Sequence, residues 1–106
     1  MKFEKEQPPR GEGQKFDNGK ARWDLLSTRE ISEVVQVLTD GAKKYADNNW
    51  KKVEHPKDRY YAAACRHLID GWRAGELIDP ESGRAHLAHA ICCLVFLMWF
   101  DNEEKT

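Results

Sequence analysis

The chain reads as all-α. Apolar residues recur at helical spacing in three successive segments, and no stretch shows the sustained alternation of a strand. A third observation places the chemistry: the last two segments each carry a polar pair at i, i+3, so each pair points from one helical face. A small bundle built around a long helical hairpin follows.

The first helix starts near Ser27, where Ser27-Thr-Arg-Glu30 matches a capping box. Its stripe is Ile31, Val34, Val35, Leu38, Ala42 and Tyr45, with Gly41 inside it, and Ala46-Asp-Asn-Asn-Trp50 ends it. The second helix is predicted from Asp58, an N-cap residue type, to about Arg73. In the next segment, Asp79-Pro80-Glu81 reads as an N-cap, a proline at the first helical position and an acid in the first turn. The third helix is therefore predicted to begin there and run to about Asn102. It is apolar almost all round, because Leu87, Ile91, Leu94, Val95 and Met98 cover faces away from the His86/His89 stripe. One small chain cannot bury so much, so a homodimer or tetramer is expected.

Ahead of these helices the chain is irregular. Residues 1 to about 19 are rich in Pro, Gly and Lys and read as an arm. Lys15 to Leu26 reads as an ordered loop packed by Phe16, Trp23, Leu25 and Leu26. The organisation is an arm over 1–14, one helical domain over 15–102 and a polar tail over 103–106.

Composition narrows the function. At 106 residues, 33% charged and 41% hydrophobic with four Trp, the chain suits one folded domain. A net charge of −1 argues against polymeric nucleic acid held on a broad basic surface. The three cysteines, Cys65, Cys92 and Cys93, lie in apolar helical contexts and fit a reducing compartment. The longest apolar run, Ala90 to Phe100, is 11 residues, short of the ~18 that span a bilayer. No membrane partner and a cytoplasmic location are expected.

His67 falls on a face with Tyr60, Ala63, Ala64 and Gly71, with Asp70 beside it, and His86 and His89 share the stripe of Ala90, Cys93 and Phe96. In an antiparallel hairpin these four potential metal ligands converge near the loop, which adds Glu76, Asp79 and Glu81. Buried convergence of this kind is costly unless something uses it. A divalent metal is one use, and imidazole content favours later first-row ions. A satisfied polar network, with Asp70 bonded to His67 and the acids capping helices, is the other.

Lys20, Arg22, Lys43, Lys44 and Arg66 are candidate phosphate contacts. Lys44, Tyr45, Asn48, Asn49 and Trp50 together offer a cation, an aromatic face and an amide able to read a base edge. Glu30 and Glu33 form an ExxE pair, but Glu33 falls opposite the apolar stripe and Glu30 has a capping role. No Walker loop, dinucleotide fingerprint, nucleophile elbow or zinc-finger spacing is present.

Taken in order, Lys15-Phe-Asp-x-Gly-Lys-x-Arg-x-Asp-Leu-Leu26, Gly41-Ala-Lys-Lys-Tyr45 with Asn49-Trp50, Arg66-His67, Gly75-Glu76, Asp79-Pro-Glu-Ser-Gly83 and His86-Leu-Ala-His89 form a compound pattern. Over about residues 14–100 it resembles the N-terminal domain of the dATP/dGTP diphosphohydrolases, a family common in phages and prophages. More distantly it is similar to the all-α NTP pyrophosphatases of the MazG, HisE and dUTPase-like group. The resemblance implies a helical bundle, a dimer or tetramer, and Mg²⁺- or Mn²⁺-dependent release of pyrophosphate from a purine deoxynucleoside triphosphate. It implies the host cytoplasm if the chain is phage-encoded.

MazG-type enzymes carry EExxE and ExxD where this chain has Arg66-His67-x-x-Asp70 and His86-x-x-His89. Histidines thus replace most carboxylates, which brings Co²⁺, Ni²⁺ and Zn²⁺ into range beside Mg²⁺ and Mn²⁺. On this reading His67, Asp70, Asp79, His86 and His89 are metal ligands. Glu76 or Glu81 takes the proton of the attacking water, and Lys20, Arg22, Lys44, Asn49, Trp50 and Arg66 hold the nucleotide. A binding protein that sequesters a nucleotide without hydrolysing it is the alternative.

Overall fold

A computed structural model of the chain describes residues 13–104. Its helices are α1 (Thr28–Lys44), α2 (Pro56–Cys65) and α3 (His86–Glu104), and the described residues contain no strand. Short 3₁₀ turns cover Trp23–Leu25 and Asn49–Lys52. The expected arm over 1–14 lies outside the described residues except for its last two positions. Residues 103 and 104 of the expected tail continue α3.

Ser27 stands at the N-cap of α1 with extended backbone, but its hydroxyl bonds the Glu30 carboxylate instead of a backbone N–H. Neither backbone bond of the capping box forms. Along α1, Val34 is buried, Ile31, Val37 and Ala42 are half-buried, and Val35, Leu38 and Tyr45 remain exposed.

α2 begins at Pro56, two residues before the predicted start at Asp58. A proline at the first helical turn loses nothing, since that N–H has no intrahelical acceptor. Beyond Cys65 the chain departs from the predicted regular helix. Arg66–Trp72 widens into a π-helical turn, in which the Arg73 N–H donates to the Leu68 carbonyl at 2.8 Å. Within this turn His67 is half-buried while Asp70 is exposed.

The start of α3 also differs from expectation. Asp79-Pro80-Glu81 forms a turn, not a helix N-terminus. Gly83 adopts φ +74° and donates its N–H to the Asp79 carbonyl at 2.7 Å. The Asp79 N–H in turn donates to the Arg84 carbonyl at 2.8 Å, and the His86 N–H to the Leu77 carbonyl at 2.9 Å. These bonds set Ile78 opposite Ala85 in one antiparallel bridge. With these backbone groups committed across the turn, no helical ladder can start before His86.

α3 is the central element, packed against α1 and against α2 with its π-helical extension. Val34, Ala88 and Cys92 form the core, with Val37, Ala85 and Phe96 against it. At the far end Trp50 stacks on Phe96 with ring centroids 4.3 Å apart and planes 13° apart, and meets Trp99 edge-on at 5.3 Å. Tyr60 packs on Phe96, and its hydroxyl donates to the Trp50 carbonyl at 3.1 Å. This aromatic group fastens the 3₁₀ turn to α3.

Phe16, Trp23, Leu25 and Leu26 do not pack the loop as expected; they are 60%, 79%, 73% and 43% exposed. Leu87, Ile91, Leu94, Val95 and Met98 are likewise exposed along α3, on the faces expected to meet another subunit. No helix among the described residues is long and apolar enough to cross a membrane.

Candidate functional site

The C-terminal half of α1, the π-helical turn, the 79–84 turn and the first turns of α3 enclose an open cleft of about 1390 Å³. It collects most of the residues singled out from sequence. Glu76, Asp79, Glu81, His67, Asp70, His86 and His89 all line it. So do Lys44, Asn49, Trp50 and Arg66. Lys20 and Arg22 do not; Arg22 is paired with Asp24 at 2.7 Å in the preceding loop. Glu30 and Glu33 also lie off the cleft, Glu30 being bonded to Ser27 and Arg29.

One end of the cleft is a histidine cluster. His67 Nδ1 and His86 Nδ1 face each other at 2.9 Å, and the opposite ring nitrogen of His86, Nε2, meets Glu76 Oε1 at 2.7 Å. The rings of His67 and His89 stack with centroids 4.5 Å apart and planes 7° apart. His89 Nε2 bonds Ser82 Oγ at 2.7 Å and stands 3.8 Å from the Asp79 carboxylate. Asp79 is itself oriented, since its Oδ1 accepts the Glu81 N–H at 2.9 Å.

His67, Asp79 and His86 each offer a ligand atom within 4.8 Å of the other two. Asp70 lines the cleft but is exposed and outside this trio.

Electrostatics favour donor nitrogens here. Burial pushes the His67 ring below its ordinary pKa, and the neighbouring His89 and His86 rings push the same way. Burial also lowers His89, against the opposing pull of Asp79. Both shifts favour the neutral ring, which has a lone pair to give. His67 and His86, with Asp79 to supply charge, are the residues here that could hold one divalent ion.

The other end is aromatic, with Lys44, Asp47 and Asn49 beside Tyr45 and Trp50. Lys44 Nζ lies 5.2 Å from the centre of the Tyr45 ring, which is 63% exposed. One face of Trp50 is taken by Phe96, and Lys51 Nζ sits 5.3 Å from its ring centre. Between the two ends, Arg84 holds Asp40 through two bonds of 2.8 and 3.1 Å, tying the 79–84 turn to α1.

This order of residues agrees with a known family. The sequence profile described as dATP/dGTP diphosphohydrolase, N-terminal, matches residues 10–106. The chain belongs to that family. A protein of Salmonella phage PMBT28 named dATP/dGTP diphosphohydrolase is 36% identical over 94 residues, covering 89% of this chain and 31% of that protein. The chain thus spans about a third of that relative's length. No solved structure matches the chain.

Sequence reasoning passed over three contributors in this member of the dATP/dGTP diphosphohydrolase family. Gly71 shares the His67 face in the sequence pattern, and a Cβ there would lie 2.5 Å from the His86 ring. Ser82 and the Asp40–Arg84 pair carried no local signal, because their partners are seven and 44 positions away.

Proposed function

We propose that this domain binds a purine deoxynucleoside triphosphate in the cleft and hydrolyses it between the α- and β-phosphorus, releasing pyrophosphate in a divalent-metal-dependent reaction. The observation that carries the reading is the meeting of His67, Asp79 and His86 in a cleft that Lys44 and Arg66 also line. The family and its phage relative support the substrate class.

His67, Asp79 and His86 would hold the ion, with His89 stacked behind His67 and steadied by Ser82. When bound, such an ion supplies charge neutralisation for the triphosphate and lowers the pKa of a coordinated water. Lys44 and Arg66 add positive charge for the phosphates. Glu81 accepts the proton of the attacking water, since it lines the cleft and its carboxylate carries no hydrogen bond among the described residues. Glu76 is not available for that role while it is bonded to His86. The exposed stripe on α3 is covered by a second copy in this reading. Three unpaired thiols fit work in a reducing cytoplasm, that of the host for a phage protein.

Incubation with each dNTP and Mn²⁺, Mg²⁺ or Co²⁺, scored for pyrophosphate, tests the proposal. Pyrophosphate from dATP or dGTP that disappears in the His86→Ala protein supports it. Nucleotide binding without turnover under every metal would favour the second reading, a sequestering protein. The histidine-rich, carboxylate-poor donor set is what keeps that second reading in view.

A further inference from the structure

We infer that Glu76 is a positioning residue that turns His86 into an Nδ1 donor, so that the cluster selects a later first-row divalent ion of the Co²⁺, Ni²⁺ or Zn²⁺ class over Mg²⁺. This rests on the metal reading above and goes further in assigning a role to Glu76 and a class to the ion.

An ionised carboxylate can only accept hydrogen bonds. At 2.7 Å from Glu76 Oε1, the Nε2 of His86 must carry the hydrogen. In the neutral ring Nδ1 then has the lone pair, and it faces His67 Nδ1 at 2.9 Å. Without an ion, His67 Nδ1–H donates to that lone pair. To serve as a ligand beside His86, His67 would carry its hydrogen on Nε2 instead, leaving a lone pair on both Nδ1 atoms. No net proton is needed for the exchange.

The arrangement is held in place. The His86 side chain is only 9% exposed, and the bare backbone of Gly71 lies against its ring. A carboxylate behind a ligating imidazole fixes the tautomer and raises the basicity of the donor nitrogen. Two imidazole nitrogens and one carboxylate are a poor match to Mg²⁺, which prefers oxygen ligands in near-ideal octahedral geometry. They are a good match to later first-row ions.

The test uses the chelator-treated full chain titrated with Co²⁺, whose visible d–d absorption reports nitrogen ligation, followed by competition with excess Mg²⁺. The wild-type protein is expected to develop the band and keep it in Mg²⁺. Glu76→Ala should weaken Co²⁺ binding roughly ten- to a hundredfold and alter the band, with helical circular dichroism unchanged. Glu76→Gln, whose amide oxygen still accepts from Nε2–H, should restore most of the affinity and also covers the case of an alanine variant that fails to fold. Wild-type protein that binds no Co²⁺ would overturn the underlying metal reading. Normal binding and spectrum in both Glu76 variants would overturn the positioning role alone. Loss of the band to Mg²⁺ would overturn the assigned ion class.

Discussion

Gly71 lies in direct contact with the imidazole of His86: a Cβ at position 71 would stand 2.5 Å from Cγ and Cδ2 of the ring and 2.6 Å from Nδ1. The π-helical turn supplies this approach by carrying residue 71 onto α3. Gly71→Ala must therefore move either the turn or the ring. Overpacking of this kind typically costs about 1–3 kcal/mol. The melting temperature should fall, and metal-induced stabilisation of the variant should be weaker than in wild type. A variant that melts like wild type and gains as much from Co²⁺ would show that the contact is slack.

Trp50 separates packing from recognition. Its ring is stacked on Phe96 and edged by Trp99 and Phe100. Truncating a packed aromatic costs about 3–5 kcal/mol, so Trp50→Ala should melt well below wild type. Chemical denaturation with an unchanged m-value would measure the loss. If stability is retained while dNTP affinity drops, position 50 serves the ligand and not the aromatic cluster.

Thiol chemistry should divide the cysteines. Burial pushes the Cys92 thiol up to about 12, and its Sγ lies 3.5 Å from the Val34 carbonyl that accepts its hydrogen. The reactive species is the thiolate. Cys92 should thus resist alkylation at pH 8 in the native protein and react only on unfolding. Peptide mapping after a short iodoacetamide pulse reads this directly, and rapid native labelling of Cys92 would contradict its burial.

The Asp40–Arg84 pair predicts an acid limb. The Arg84 guanidinium, bonded to both oxygens, holds the Asp40 carboxyl below its ordinary value. The unfolded chain then binds the proton first, so the contribution is present above about pH 4 and is lost as pH falls through the lowered folded value. Both side chains are substantially exposed, so the effect is small and salt-sensitive. Melting temperature against pH should be flatter on the acid side for Asp40→Asn, with no change in slope near neutrality. Parallel curves across the whole range would remove the pair as the cause.

Self-association should respond to the outer stripe of α3. Leu94 and Val95 are each 47% exposed and Met98 is 64% exposed. Light scattering is expected to give at least a dimer for wild type, and a single chain for Leu94→Glu with unchanged helicity. A wild-type monomer at micromolar concentration would sink the prediction.

Helical periodicity marks the chain as all-α and places α1 and the body of α3, and residue chemistry puts histidines and acids near the loop of a hairpin. These follow from periodicity and residue chemistry, which act over a few positions and are written locally. Tertiary structure alone decided the rest. The π-helical turn and the contact of Gly71 with His86 depend on how the second helix packs against α3. The 79–84 turn displaces the predicted helix start because Asp79 pairs with Arg84 and Leu77 with His86 across it. Glu76 reaches His86 ten positions on, His67 reaches it across 19, and Arg84 reaches Asp40 across 44. Contacts at such separations depend on the path of the whole chain, and no local pattern encodes them.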